Sequence, residues 1–287
     1  MIIANFKSNG SKEMIDCWVK DFKSQIQDNV ASVGVAPPHI YIDKFYKSIS
    51  QNDLENIKIG AQDVGAGSGP NTGSISSAML SDLNCNFSIV GHSERRKNFK
   101  EDNALIKQKI ENLISFKLTP VLCVGESLSD FEEKKTYTTI RMQLEECLKN
   151  ISIPEDIIIA YEPLWAIGSG KTPSPNDVNQ INEYIKDVVQ STTSNNYTPK
   201  VCYGGSVNVE NAGSFFKCSN VDGALIGGAS LDGKKFALIA NKFNRNNYDD
   251  YFNTNFMRDF SCCYYCVSSS SARKRLGSRI SFWRRLI

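Results

Sequence analysis

Several short segments carry residue types that acid–base chemistry on a small anionic substrate requires. Glu162 directly follows the apolar run IIIAY, so its carboxylate lies beside a mostly apolar segment and suits a general base. His92 occurs in GHSERR, while Lys7 and Asn5 occur in NFKSN, where a cation can balance negative charge developing on a substrate oxygen. Taken singly, each also has a plain structural reading: a salt-bridged carboxylate, a hydrogen-bonded core histidine and an exposed lysine.

Two glycine segments, YGGS at 203–206 and IGG at 226–228, add a possible anion site. Glycine lets main-chain N–H groups approach a ligand closely, which favours phosphate binding over the alternative of simple tight turns. A third segment, PLWAIGSGKT at 163–172, is apolar first and glycine-rich later. That order is typical of a lid that closes over a site and excludes water, although a packed surface loop would look similar.

Eight short apolar runs are interpreted as the strands that position these groups. They are continuous rather than alternating, as in a parallel sheet covered on both faces, and amphipathic helical segments lie between them. The sequence therefore predicts an α/β fold, an eight-stranded parallel (β/α)8 barrel in one domain, with a doubly wound open sheet as the alternative. The predicted strands are 2–6, 32–36, 57–62, 87–90, 120–124, 157–161, 200–203 and 221–226, and the predicted helices include 12–27, 103–116, 130–148 and 176–190. In the helix 130–148 the spacing is mostly compatible with one apolar face, formed by Phe131, Tyr137, Ile140, Leu144 and Leu148.

In such a barrel the chemistry is expected at the carboxyl ends of the strands. Polar, thiol and glycine residues do gather there along the sequence, which supports the barrel independently of the apolar pattern. These positions are Asn5, Lys7, Gln62, His92, Glu94, Cys123, Glu126, Glu162, Gly204, Gly205, Ser206, Gly227 and Gly228.

The overall composition excludes several classes of protein. With 33 basic and 31 acidic residues the net charge is +2, too small for nucleic-acid binding through overall charge. No apolar stretch approaches the roughly 20 residues of a membrane-spanning helix, and we expect a cytoplasmic protein. The nine scattered cysteines are interpreted as thiols, and two histidines cannot form a three-histidine metal site.

The C-terminal segment 245–287 differs from the rest of the chain. It has eight basic and three acidic residues, four consecutive serines, and no helical or strand period. We expect a catalytic domain at 1–244 followed by a mobile basic tail. Its three cysteines are weak evidence for a metal site, and its Arg-rich end could contact a membrane surface or nucleic acid.

Five motifs, in this order and spacing, resemble the triosephosphate isomerase family: NFKSN, GHSERR, AYEPLWAIGSGKT, YGGSV and IGGASL. The resemblance covers residues 1–243. It implies a dimeric barrel enzyme of glycolysis and gluconeogenesis, without metal or organic cofactor, that interconverts dihydroxyacetone phosphate and D-glyceraldehyde 3-phosphate through an enediolate.

The resemblance also implies a role for each matched residue. Glu162 is similar to the catalytic base of the family, and His92 to its electrophile. Lys7 and Asn5 match the substrate-contacting pair, and Glu94 an additional carboxylate of the site. Phosphate would be held at Gly168, Ser206, Gly227 and Gly228. Thr72 would contact the partner subunit. The lid would consist of Pro163, Leu164, Trp165, Ala166, Ile167, Gly168, Ser169, Gly170, Lys171 and Thr172.

Two positions depart from the family pattern. Ser74 stands where the family usually has glutamate in T-G-E, so a carboxylate that commonly braces the loop near Arg95 is missing and a looser dimer is expected. Pro173 follows the lid where many relatives have a small residue, and its fixed φ is expected to stiffen the hinge.

Two other functions fit part of these observations. A barrel enzyme acting on a larger sugar phosphate would keep the glycine segments but would not need His92 paired with Glu162. A non-catalytic binding protein could use the barrel as a scaffold and the basic tail as its contact surface. The intact set of catalytic residue types favours the isomerase.

Overall fold

The strands form a closed barrel in the computed structural model, which describes residues 1–28, 30, 32–151, 157–166, 172–193 and 197–243. All eight strands are parallel and pair in chain order, and the first also pairs with the eighth. This confirms the predicted (β/α)8 barrel. The strands are β1 Ile2–Asn5, β2 Val33–Ala36, β3 Lys58–Ala61, β4 Phe87–Val90, β5 Thr119–Val124, β6 Ile158–Tyr161, β7 Lys200–Tyr203 and β8 Ala224–Ile226.

Ten α-helices occur in the described residues, mostly on the connections between strands, together with 3-10 turns at His39–Tyr41 and Gly228–Leu231. The longest, α8, begins with Ser174 in a capping box followed by proline, a strong local start signal. The helices are α1 Lys12–Lys23, α2 Ile42–Ser50, α3 Ser77–Asp82, α4 Ser93–Phe99, α5 Asn103–Ser115, α6 Leu128–Glu132, α7 Thr136–Leu148, α8 Pro175–Thr192, α9 Ala212–Phe216 and α10 Gly233–Asn241.

Buried apolar side chains form two layers because successive residues of a strand point to opposite faces. Ile3, Phe87, Val121 and Leu225 belong to a cluster inside the barrel. A larger cluster lies between the strands and the helices. Both faces of the strands are therefore apolar, which is the physical reason for the continuous apolar runs in the sequence.

The prediction of one helix over residues 130–148 is wrong. The chain forms α6 and α7 instead, and Lys134 between them has φ of 58°, the left-handed conformation that ends a helix. The single apolar face expected there is also divided: Ile140 and Leu144 are buried, whereas Phe131 and Tyr137 are exposed. Phe131 has a different neighbour, described below.

Candidate active site

The carboxyl ends of the strands surround one cavity of about 340 Å³. Its polar lining includes Asn5 at the end of β1, Lys7 two residues later, His92 after β4 and Glu162 after β6. The fold thus brings residues that are far apart along the chain to one site. The remaining lining residues include Ser206, Gly227 and Gly228, from the segments after β7 and β8.

The carboxylate of Glu162 is almost completely buried and is held by two neighbours. Its Oε1 lies 3.1 Å from Nε2 of His92, and its Oε2 accepts a hydrogen bond of 3.0 Å from the Ser93 N–H. Two glycines leave room for it. A Cβ on Gly204 would lie 2.9 Å from the Glu162 Cγ, and one on Gly125 would collide with the Glu162 main chain.

Hydrogen bonding defines which nitrogen of His92 carries the proton. His92 caps the N-terminus of α4, and its Nδ1 accepts a hydrogen bond of 3.2 Å from the Glu94 N–H. Because an accepting nitrogen has no proton, the neutral ring carries its proton on Nε2. That N–H points into the cavity toward Glu162, where it can donate to a substrate oxygen.

Lys7 has a left-handed backbone, with φ of 50°, which is uncommon outside glycine. Its N–H donates to Asn5 Oδ1 at 3.0 Å, and its Nζ lies 2.5 Å from Oε1 of Glu94. Gln62 stabilises the same segment, because its Nε2 donates to the carbonyl oxygens of Lys7 at 2.8 Å and Ala36 at 2.9 Å. The sequence places Gln62 at a strand end but does not indicate this role, because a hydrogen bond to a main-chain carbonyl has no sequence signal.

Comparison with known proteins places this site in a family. A profile of triosephosphate isomerase matches residues 1–243. The chain belongs to the triosephosphate isomerase family. A triosephosphate isomerase of Legionella pneumophila strain Lens is 39% identical over 248 residues, 85% of this chain and 98% of that protein. That of Escherichia coli O1:K1 is 38% identical over 244 residues, 83% and 94%. A chloroplastic triosephosphate isomerase of Secale cereale is 38% identical over 240 residues, 83% and 79%.

Membership of the triosephosphate isomerase family makes the chain an isomerase of triose phosphates, with the glycolytic role of that family. The described residues contain no cluster of three or more His, Cys, Asp or Glu side chains that could hold a metal ion. Among the helices of those residues, none has the length and apolar character needed to cross a membrane.

The first part of the predicted lid packs against α6. Trp165 Nε1 donates to Oε1 of the buried Glu126 at 2.7 Å, and the Trp165 ring stacks on Phe131 with ring centres 4.4 Å apart. Burial raises the pKa of Glu126, although the hydrogen bond from Trp165 opposes that shift. Ser206 Oγ also donates to the Ala166 carbonyl at 3.0 Å. The predicted lid residues 167–171, including Gly168, lie outside the described residues.

Cys123 lies at the end of β5, inside the barrel and next to Glu162. Burial, together with the nearby Glu162 carboxylate, raises the pKa of its thiol well above the ordinary value. The thiol therefore stays protonated and is a poor nucleophile. Its position at a strand end reflects packing more than chemistry.

Two carboxylates hold Arg95, although position 74 has serine in place of the glutamate that is usual in the family. Its Nη2 lies 2.8 Å from Asp63 Oδ2 and 2.7 Å from Glu101 Oε1. Ser74 is exposed in the loop 65–77, as is Thr72. Asp63 and Glu101 were not predicted as partners of Arg95, because neither belongs to a motif and Asp63 is remote along the chain.

Proposed function

We propose that Glu162 and His92 carry the proton transfers that interconvert dihydroxyacetone phosphate and D-glyceraldehyde 3-phosphate. The observation that carries this proposal is the 3.1 Å contact at one cavity between Oε1 of the buried Glu162 and Nε2 of His92, whose Nδ1 accepts a hydrogen bond from the Glu94 N–H. A glutamate base with a neutral histidine is the established division of roles in triosephosphate isomerase. The geometry of this chain supports that division residue by residue.

In the forward step Glu162 removes a proton from the carbon next to the substrate carbonyl. The electron pair of the broken C–H bond forms the carbon–carbon double bond of the enediolate, and the carbonyl oxygen becomes negative. His92 Nε2–H donates to that oxygen, and the hydroxyl proton of the neighbouring carbon passes to it, so that the negative charge moves to the neighbouring oxygen. Glu162 then returns its proton to the former carbonyl carbon while the neighbouring oxygen forms the new carbonyl, and the net change is an isomerisation without oxidation or reduction.

Lys7 supplies positive charge to the developing enediolate, and Asn5 positions it. Asn5 Oδ1 accepts from the Lys7 N–H, and Glu94 holds Lys7 Nζ at the edge of the cavity. Fixed donors at the place where negative charge develops favour the transition state more than the bound substrate.

Neutral main-chain groups would hold the phosphate in the same cavity. Ser206, Gly227 and Gly228 line it, and a Cβ on Gly228 would meet no atom within 4 Å, so its backbone is open to a ligand. The resemblance adds Gly168 to this set. Such donors bind a phosphate without adding an acidic side chain near the reacting carbons.

Replacement of Glu162 by glutamine tests the assignment. The amide keeps the shape but has no basic oxygen, so kcat in an assay coupled to the product should fall by at least about 10³-fold, while a substrate analogue still binds. Near-normal kcat would remove Glu162 from the mechanism. The same assay on the unmodified chain separates the isomerase from an enzyme of larger sugar phosphates and from a binding protein.

The enzyme is proposed to act as a cytoplasmic homodimer through the face that carries loop 65–77. Exposed apolar side chains flank this loop: Met79 in the helix that follows it, Ile40 and Phe99. Ile40 is next to His39, which lines a surface cavity together with loop residues, and the Phe99 ring lies under Arg95. Contact with a second copy would cover them. Sedimentation of the unmodified chain over a dilution series tests the dimer.

The catalytic unit is proposed to end near Asn244, with the tail 245–287 outside it. The family match ends at residue 243, which supports this boundary. The tail lies outside the described residues, so its proposed mobility rests on its composition alone.

A further inference from the structure

A cluster of four charged side chains lies beneath loop 65–77. Lys109 Nζ lies 2.7 Å from Asp63 Oδ1 and 2.6 Å from Glu101 Oε1, and Arg95 bridges the same two carboxylates at 2.8 and 2.7 Å. The side chains of Lys109 and Glu101 are each only 4% exposed, and that of Asp63 is 14% exposed. Two cations and two anions thus share one largely buried site.

This cluster fixes the base of loop 65–77 to two helices. Asp63 is two residues before the loop, Arg95 belongs to α4, and Lys109 belongs to α5. Two further contacts hold the same region: Asn112 of α5 donates to the Ala66 carbonyl, and His39 Nε2 lies 2.7 Å from the Asp63 carbonyl oxygen.

The neck of the loop is closed by its own backbone, with the Gly65 N–H donating to the Ile75 carbonyl at 2.8 Å. Ser74 lies at this neck, because a Cβ on Gly65 would be 3.3 Å from the Ser74 Cβ. Ser74, Asp63, Arg95 and Lys109 also line one surface cavity of about 640 Å³. A longer side chain at position 74 would therefore extend over the charged cluster.

Charge balance makes Asp63 essential to the cluster. Without its carboxylate, Arg95 and the buried Lys109 would share Glu101 alone, leaving one uncompensated positive charge in a site with little water. In the described residues Glu101 Oε2 has no hydrogen-bond partner, so this carboxylate does not already hold both cations with both oxygens.

We propose that Asp63 is a positioning residue that braces loop 65–77 from its base, in place of the glutamate that the family usually has at position 74. Ser74 then need not loosen the subunit contact, contrary to the expectation from sequence alone. The inference rests on the proposed dimer where it concerns the subunit contact, but the anchoring of the loop is a property of each subunit.

The same anchor reaches the catalytic lysine through one residue. Gln62 precedes Asp63 and holds the Lys7 carbonyl at 2.8 Å. A shift of Asp63 therefore moves Gln62 and, with it, the strained backbone of Lys7. Loss of the anchor should both raise KM for the phosphorylated substrate and lower kcat, because Lys7 contacts the substrate and also stabilises the charge that develops in the transition state.

The experiment compares Asp63→Asn, Ser74→Glu and the double variant in the full-length chain. Hydrogen exchange of the backbone amides of residues 65–77 reports the anchoring, and sedimentation over a dilution series reports the dimer. Asp63→Asn should accelerate exchange in the loop by at least about tenfold and weaken the dimer by at least about tenfold. Ser74→Glu should change little by itself and should reverse both effects of Asp63→Asn.

Asp222→Asn is the matched control. Its carboxylate is equally exposed at 14% and pairs with Lys186 of α8 at 2.8 Å, but Asp222 lies just before β8, away from loop 65–77. This variant should lower the melting temperature without changing loop exchange, KM or the dimer. A general loss of stability is thereby separated from loss of the anchor.

Unchanged loop exchange and an unchanged KM in Asp63→Asn would overturn the inference. It would also be overturned if the double variant exchanged and dissociated like Asp63→Asn alone, because Ser74→Glu would then have rescued nothing. If Asp63→Asn does not fold, Asp63→Asn combined with Lys109→Gln removes one charge of each sign and should fold with a loop that still exchanges fast. A slowly exchanging loop in that variant would also refute the proposal. A monomeric, fully active unmodified chain would refute the proposed dimer while leaving the exchange result to decide the anchor.

Discussion

Gly125 determines how closely two strands approach at Glu162, the proposed catalytic base. It follows β5, and its carbonyl and N–H are both held by Gln143, at 3.0 and 2.9 Å. The neighbouring Glu162 N–H donates to the Val124 carbonyl at 2.8 Å. Replacing Gly125 by alanine would put a methyl group where the main chain of Glu162 now lies.

The size of the effect follows from the distances. The new Cβ would lie 2.6 Å from the Glu162 carbonyl carbon, whereas carbon atoms in contact are normally ~3.5 Å or more apart. The ends of β5 and β6 must therefore separate by about 1 Å. A displacement of that size costs about 10²-fold in rate, or about 2.7 kcal/mol in the activation barrier.

Steady-state kinetics of Gly125→Ala should show this loss mainly in kcat, because the proposed phosphate donors Ser206 and Gly228 follow other strands. Gly213→Ala is the control: a Cβ at Gly213 would meet no atom within 4 Å, and activity should be unchanged. Both variants should be checked for a cooperative melting transition. A folded Gly125→Ala enzyme with normal kcat would show that the close approach of these strands is irrelevant to catalysis.

Three further outcomes are expected. Phe131→Ala removes the stack on Trp165 beneath the proposed lid, worth about 0.5–1.5 kcal/mol, and should lower kcat/KM by up to about tenfold. Tyr137→Ala on the next helix should leave kcat/KM unchanged. Equal effects of the two variants would contradict a specific role of Phe131. Burial raises the pKa of Glu126 above its ordinary value of 4.5, so the folded state binds more protons than the unfolded state and stability falls as the pH rises from 4.5 through the raised pKa. Melting curves recorded over this rise in pH should show a flatter slope for Glu126→Gln. A chain ending at Asn244 should keep its solubility and kcat, and loss of either would make the tail part of the working enzyme.

The barrel and the positions of its strands were predictable because one physical signal repeats. Each strand is buried on both faces, so its residues are apolar without interruption, and the eight runs stand out from the amphipathic helices. The rule that strands of a barrel present their carboxyl ends to the site then indicates Asn5, His92 and Glu162 as neighbours.

Contacts between remote polar or aromatic residues were not predictable in this way. Asp63 and Lys109 are 46 residues apart, and the approach of their elements depends on the packed barrel. The end of α6 at Lys134 was missed because the segment EEKK favours a helix locally. Phe131 was assigned to a core face by its spacing, whereas its actual neighbour Trp165 comes from a different connection.

Closure of the barrel has a consequence for the order in which the enzyme gains its activity. β1 pairs with β8, more than 200 residues later, so Lys7 and Gly227 meet only when the two ends of the barrel join. A nascent chain that lacks β8 has Glu162 and His92 but neither the closed wall nor the proposed phosphate donors Gly227 and Gly228. Such distant pairing is slow to form, since the entropy of closing the long intervening chain must be overcome first. During refolding, catalytic activity should therefore appear only with the final joining of the barrel, later than helix formation.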